Sequence, residues 1–355
     1  MEIKVKNRMP QLGKISPEIF EEIIYPNLGY KNESVITGPK HGIDCAVTDI
    51  GGGRVMAMTC DPFYIVPQYG WEKAAWFAFH ILASDLATSG FSPQFAAADL
   101  NLPPEIKDEE FKEMWEAFSK ECSKYKVSIV SGHTAKYAGC SWPMAGGGFM
   151  WSFGDKNSYV TPAMAREGDL IMITKGAAVE AAAIMACTFP EKVEEAFGEK
   201  FSKKSQDIFW QMSALEDCLV CSSYGLRDRG VTSMHDATEC GVYGGIFEVA
   251  RASQKGVKLY KDKIYVDPYV EKICGLFEMD PYSSISEGTL IITVKEKHAD
   301  NLKEALGEKG IKSFICGEIR PQKEEMKIEE KGKEKELKHP IIDPFWSAFE
   351  KALKK

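Results

Sequence analysis

The sequence of 355 residues predicts an α+β fold in two domains. Three observations carry that prediction. Two strand-like runs, residues 43–50 (IDCAVTDI) and 54–60 (RVMAMTC), flank Gly51-Gly52-Gly53, a hairpin signal. Apolar stretches with helical spacing alternate with short strand-like runs along most of the chain. A polar break at Thr161-Pro162 and Arg166-Glu167-Gly168-Asp169 divides the chain into two such segments.

In the first segment, residues 71–89 are apolar with helical spacing, and Gly90 supplies a C-terminal stop. Residues 95–100 read as a strand, and 108–125 as a helix with Phe111, Met114, Trp115 and Phe118 on one face. A short buried strand, 127–130, leads into a turn at Gly132-His133-Thr134, and 143–151 form another strand. In the second segment, strands are expected at 170–174, up to Met234, 289–294 and 313–318, with helices near 176–187, 205–222 and 241–254. Residues 321–338 are rich in Lys and Glu without an apolar stripe and read as a solvated connector. Phe345, Trp346, Phe349 and Leu353 then recur at helical spacing, predicting a short amphipathic helix. The expected domains are 1–160 and 161–320, followed by a connector and helix over 321–355.

Hydrophobic residues at 44% and charged residues at 27% are ordinary globular values. A net charge of −8 argues against a nucleic-acid or anionic-membrane surface, which wants a basic patch. No apolar run reaches the roughly 18 residues of a membrane span. Met1-Glu2-Ile3-Lys4 lacks the apolar core of a signal peptide. The 10 cysteines are scattered singly, as expected for reduced thiols in a cytoplasmic protein. Cys218 and Cys221 form a lone pair on a predicted helix, without the second pair of a structural zinc site, and read as buried thiols.

Candidate chemistry rests on oxygen ligands at element ends. If the hairpin turns at Gly52, Asp44 and Asp61 fall at one end of the ribbon, and two carboxylates held together make sense around a cation. As separate turn residues they would be equally ordinary. Asp85 sits on an otherwise apolar helix, where an unpaired carboxylate needs a partner or a metal. Asp236-x-Thr238-Glu239-x-Gly241 offers a metal ligand, a helix cap and a small residue, although a plain Thr-initiated helix explains part of it. Gly132-His133-Thr134 offers close backbone approach and a hydroxyl for phosphate or hydrated magnesium. For His133, phosphate donation or packing ranks above a general base. Lys40 and His41 either assist a triphosphate or occupy an exposed loop.

Five segments in this order resemble the AIR synthase-related (PurM-like) superfamily. They are Gly42-Ile43-Asp44-Cys45-Ala46, Thr59-Cys60-Asp61-Pro62-Phe63, Ala83-Ser84-Asp85-Leu86-Ala87-Thr88-Ser89-Gly90, Ser131-Gly132-His133-Thr134 and His235-Asp236-Ala237-Thr238-Glu239-Cys240-Gly241. Asp61-Pro62-Phe63 and Ser286-Glu287-Gly288 look most like the hydrogenase-maturation dehydratase (HypE-like) branch. The resemblance implies a two-domain fold whose N-terminal sheet forms a β-barrel with a second subunit, closed by a C-terminal α/β layer. It implies ATP and Mg2+ as cofactors, with Asp44, Asp61, Asp85 and Asp236 on the metal side. Lys40, His41, Gly132, His133, Thr134 and Thr238 would be on the nucleotide side, with His133 as the candidate catalytic residue. The expected function is Mg-ATP-dependent phosphoryl transfer or ATP activation by a homodimer, acting on a small molecule or a partner protein. A non-catalytic ATP-binding accessory protein and a kinase resembling thiamine-phosphate kinase are the alternatives. The sequence departs from the dehydratase branch in having no cysteine after Cys316, so a carbamoyl group on its own tail is not the expected substrate. Gln11-Leu12-Gly13-Lys14 offers the lysine of the selenophosphate-synthetase branch without its cysteine, and Cys240 stands where the family usually has glycine.

Overall fold

A computed structural model describes residues 9, 10 and 13–354; Gln11 and Leu12 of the glycine-lysine segment lie outside the described residues. The N-terminal half carries a short turn α1 (Pro17–Ile19), then β1 (Val35–Thr37), β2 (Ala46–Gly51) and β3 (Arg54–Tyr64). It continues with α2 (Trp71–Ala87), β4 (Phe95–Leu102), α3 (Asp108–Lys124), β5 (Ser128–Lys136) and β6 (Met144–Asp155). These strands form one sheet in the order β1-β2-β3-β6-β4-β5, antiparallel except for β4 with β5. The β2–β3 turn uses Gly51, Gly52 and Gly53 at φ of 81°, 61° and 75°, where a side chain would be strained.

The second half contains β7 (Asp169–Thr174), α4 (Val179–Thr188), α5 (Pro190–Phe197), α6 (Glu199–Gln206) and α7 (Leu215–Tyr224). Next come β8 (Val231–Asp236), α8 (Gly241–Ser253), β9 (Gly256–Tyr260), α9 (Pro268–Leu276), β10 (Leu290–Lys295), α10 (Ala299–Glu308) and β11 (Ser313–Arg320). β12 (Met326–Glu330), β13 (Lys333–Glu336) and α11 (Pro344–Leu353) complete it. The second sheet runs β13-β12-β9-β11-β7-β10-β8. No helix among the described residues is long and apolar enough to cross a membrane.

Strict alternation decides which way the first sheet faces. Val55, Ala57, Thr59 and Phe63 of β3 are buried under α2, whereas Met58 and Cys60 are exposed. Helix α2 lies so close that a Cβ on Gly148 of β6 would come within 2.3 Å of Leu82. The two halves share a core in which Leu86 and Leu82 of α2 join Leu215, Cys218 and Met234 from the second half. Cys218 and Cys221 are both buried in α7, where burial raises both thiols, in keeping with packed cysteines.

Three expectations need correction. Residues 321–338 are not a solvated connector: β12 and β13 form a hairpin that pairs in parallel with β9. Gly132-His133-Thr134 is not a turn, because β5 continues through it to Lys136 and stays paired with β4. The helix near 205–222 is broken, with a 3-10 turn over Asp207–Gln211 before α7.

Candidate functional site

Four aspartates converge where the two sheets meet. Asp44 precedes β2, and Asp61 lies on β3 with the inward parity of Thr59 and Phe63. The β2–β3 register pairs Ala46 with Met58, which places Asp44 at the Asp61 end of the hairpin. Thr59 Oγ1 donates to Asp85 Oδ2 at 2.8 Å and lies 3.2 Å from the Asp44 carbonyl, tying α2 to both strands. From the other half, β8 ends at His235-Asp236, and His235 Nδ1 lies 2.6 Å from Asp44 Oδ1, close but not aligned as a hydrogen bond. Ligand atoms of Asp44, His235 and Asp236 fall within 4.8 Å of one another.

This group is electrostatically frustrated. Burial, then the charges of Asp236 and Asp61, push Asp85 well above the usual carboxylate range. Burial and Asp44 raise Asp236 to about 7. Glu287, on the loop before β10, is raised by burial, Asp236 and Glu180, and Glu180 itself is pushed up to about 8, chiefly by burial. Asp44 Oδ2, Asp236 Oδ2 and Glu287 Oε1 are buried without a hydrogen-bond partner. Buried carboxylate oxygens without donors cost free energy unless a cation supplies the missing charge.

Lys14 is the nearby cation that the sequence reading used only for comparison between branches. It stands solvent-exposed in a cleft walled by carboxylates. Its backbone N donates to Glu239 Oε2 at 2.9 Å and its Nζ to Thr238 Oγ1 at 3.0 Å. Crowding by protein works against its charge, but Glu248, Glu239, Asp61 and Asp85 outweigh it and hold the ammonium above the ordinary lysine value. Thr238 therefore serves Lys14 rather than capping α8. The residue before α8 is Cys240, at φ 63°, which explains why a glycine suits that position. Its N–H donates to Asp343 Oδ2 at 2.6 Å, so the segment leading to α11 is latched to the turn.

The remaining candidates are placed elsewhere. Asp61 pairs with Gly148, Gly148 with Ala98, and Ala98 with Gly132. Three strand spacings of about 4.8 Å put Gly132 roughly 14 Å from Asp61 across the sheet. His133 is exposed on that edge strand and its Nε2 lies 2.9 Å from Tyr137 Oη, while Thr134 is also exposed. Lys40 is exposed in the loop before Asp44, its carbonyl accepting from the N–H of Ile43. His41 faces Glu248 of α8 at 3.5 Å. Besides Lys14, the sequence reading missed Glu248, Glu287 and the orienting role of His235. His235 stood beside Asp236 as a visible signal, and Glu248, between Phe247 and Val249 on an apolar helix, carried the same signal as Asp85.

The comparisons with known proteins agree with this architecture. Residues 42–150 match the family model described as AIR synthase related protein, N-terminal domain, and residues 166–329 match the corresponding C-terminal domain. One curated relative, provisionally named a hydrogenase expression/formation protein, comes from Methanocaldococcus jannaschii. It is 24% identical over 301 residues, covering 83% of this chain and 84% of the relative. The fold resembles that of a HypE–HypF complex at a TM-score of 0.67 and 18% identity, over 91% of this chain and 99% of the other. It also resembles HypE in complex with ATP at a TM-score of 0.60 and 16% identity, over 94% and 97% of the two chains.

Proposed function

This chain belongs to the AIR synthase-related family, with the PurM-like two-domain fold, and from that premise we propose that it is a homodimeric enzyme that uses Mg-ATP to activate or phosphorylate an acceptor. The observation that carries the reading is the buried carboxylate group with unpartnered oxygens on Asp44 and Asp236. Asp44, Asp61, Asp85 and Asp236 would hold magnesium, since hard oxygen ligands suit that ion. When bound, it would neutralise phosphate charge during in-line transfer.

The chain's own residues supply the rest. Lys14 and Thr238 present an ammonium and a hydroxyl beside the aspartates, suited to phosphate oxygens. His235, held by Glu248 Oε2 at 2.8 Å, fixes the position of Asp44. Gly132, His133 and Thr134 lie too far across the sheet to join Asp61 within one subunit. In this reading, they meet the nucleotide of the neighbouring subunit or its distal groups. The outward face of the first sheet supports a dimer: Met58, Phe149 and Val130 are exposed, and Phe95 stacks on Trp151 at 5.8 Å. A maturation partner protein or a small molecule is the acceptor class, by analogy with the HypE–HypF complex. Ten unpaired cysteines suit a reducing, cytoplasmic compartment.

Calorimetric titration of ATP in the presence and absence of Mg2+ tests the site. Asp85→Asn should abolish the Mg2+-dependent component while leaving the melting temperature within a few degrees, and unchanged affinity refutes the assignment. Light scattering tests the dimer: Met58→Glu with Phe149→Glu should halve the mass, and a wild-type monomer would remove that part of the reading.

A further inference from the structure

Beside the aspartates, a second group gathers that the proposed magnesium and phosphate contacts leave unused. It comprises His41 from the loop before β2, Glu248 from the middle of α8, and His339 from the segment leading to α11. One ligand atom from each lies within 4.8 Å of the other two. His41 Nε2 is 3.5 Å from Glu248 Oε1, and His339 Nε2 is 3.8 Å from the same oxygen. These separations exceed the 2.7–3.2 Å of ordinary hydrogen bonds. They match two ligands sharing one ion: donors about 2.1 Å from a tetrahedral centre stand about 3.4 Å apart.

The surroundings hold the three side chains in this arrangement. Gly42, at φ 76°, has no room for a Cβ, which would come within 2.7 Å of Glu248 Cβ, so the loop carrying His41 is pressed onto α8. The Phe247 ring packs edge-on to His339 with centroids 5.4 Å apart, and His41 meets His339 in the same manner at 5.7 Å. His339 Nε2, the atom that faces Glu248 Oε1, is buried with no hydrogen-bond partner. An imidazole nitrogen left unpaired against a carboxylate lacks its usual compensation unless something sits between them. Glu248 Oε2 is engaged separately by His235, leaving Oε1 to face the two histidines.

We propose that His41, Glu248 and His339 bind one divalent transition-metal ion of the zinc, cobalt or iron(II) class, with solvent completing its shell. Two imidazoles and one carboxylate select such ions over magnesium, which prefers oxygen ligands and near-octahedral geometry. The ion joins three separate parts of the chain, and Glu248 links it to His235 and so to Asp44.

The test uses the full-length protein, stripped with chelator and dialysed against Zn2+ or Co2+ in excess Mg2+, without nucleotide. About one zinc per chain should be retained by elemental analysis, and the cobalt form should show d–d absorption of a nitrogen–oxygen site. His339→Gln should weaken uptake at least about tenfold while the melting temperature of the metal-free protein holds; His41→Gln repeats the test if the first variant does not fold. Asp85→Asn should keep the zinc, which separates this site from the nucleotide reading. Substoichiometric zinc in the wild type, uptake indifferent to both histidine substitutions, or loss of zinc on Asp85→Asn would each overturn the proposal.

Discussion

Two buried charged groups lie within the second half and its seam with the first, and they are built on opposite terms. Lys175, just after β7, is almost enclosed, and Asp217 on α7 is fully buried. Lys175 Nζ donates to both Asp217 oxygens at 2.7 and 2.6 Å, and to the carbonyls of Ser213 and Gly288 at 2.8 Å each. Its charge and donors are satisfied. The Asp44–Asp61–Asp85–Asp236 group has like charges side by side and oxygens with no partner. A buried ion pair with complete bonding needs nothing from outside, whereas a buried cluster in which carboxylates outnumber the neighbouring cations gains from holding protons or taking up a further cation. That contrast separates a structural charge from a candidate site better than burial does, since both groups are buried.

The largest expected effect breaks the satisfied pair. Asp217→Ala leaves the Lys175 ammonium enclosed without a counter-charge and should cost about 3–5 kcal/mol of stability. Urea denaturation measures it, and a loss below about 1 kcal/mol would mean that Lys175 escapes to solvent. The aspartate group should respond in the opposite direction. Asp236→Asn removes one repelling carboxylate, so at pH 8 the metal-free protein should gain about 1–3 kcal/mol while losing its Mg2+-dependent gain in melting temperature. A destabilised metal-free variant would show that Asp236 is structurally satisfied after all.

The smallest effect concerns Asp343, which stands between the two cases. It caps α11 by accepting from Phe345 N–H at 2.8 Å and also accepts from Cys240, yet burial pushes it up to about 7. Between the unfolded carboxyl value of about 3.9 and the folded value, the folded state holds the extra proton. Stability from this group is therefore present in acid and lost as pH rises towards 7. Asp343→Asn should flatten the fall in unfolding free energy between about pH 4 and pH 7. An unaltered slope would mean that the two N–H donors, not burial, set its titration.

Part of the site is legible in sequence because local geometry fixes it. The glycine turn sets the register of β2 and β3, and that register alone brings Asp44 to the end of the ribbon that carries Asp61. Asp85 is conspicuous because an acid on an apolar helix demands a partner. Lys14 and His339 carry no such signal, each being one polar residue in a loop until distant segments are packed together, whereas Glu248 is an acid between apolar neighbours on α8 whose partners the sequence does not name. The β12–β13 hairpin escapes sequence patterning for a related reason. Edge strands are protected by charge, and every residue of Lys333–Glu336 is exposed, so an apolar stripe is absent where a strand exists. The strand through Gly132-His133-Thr134 is masked by its glycine, which local propensity reads as a break.

By itself the sequence determined the hairpin that presents two aspartates, the apolar helix and strands beside it, and the motif order by which the family is known. Periodicity, turn glycines and short motifs act over a few residues, and these features are of that range. Only the tertiary structure decided that Asp85 and Asp236 join them, that Lys14 and Thr238 meet, that His133 stands three strands away, and that His41, Glu248 and His339 share one point. Those outcomes depend on how α2, α8 and the segment before α11 pack across two sheets, which no local pattern specifies.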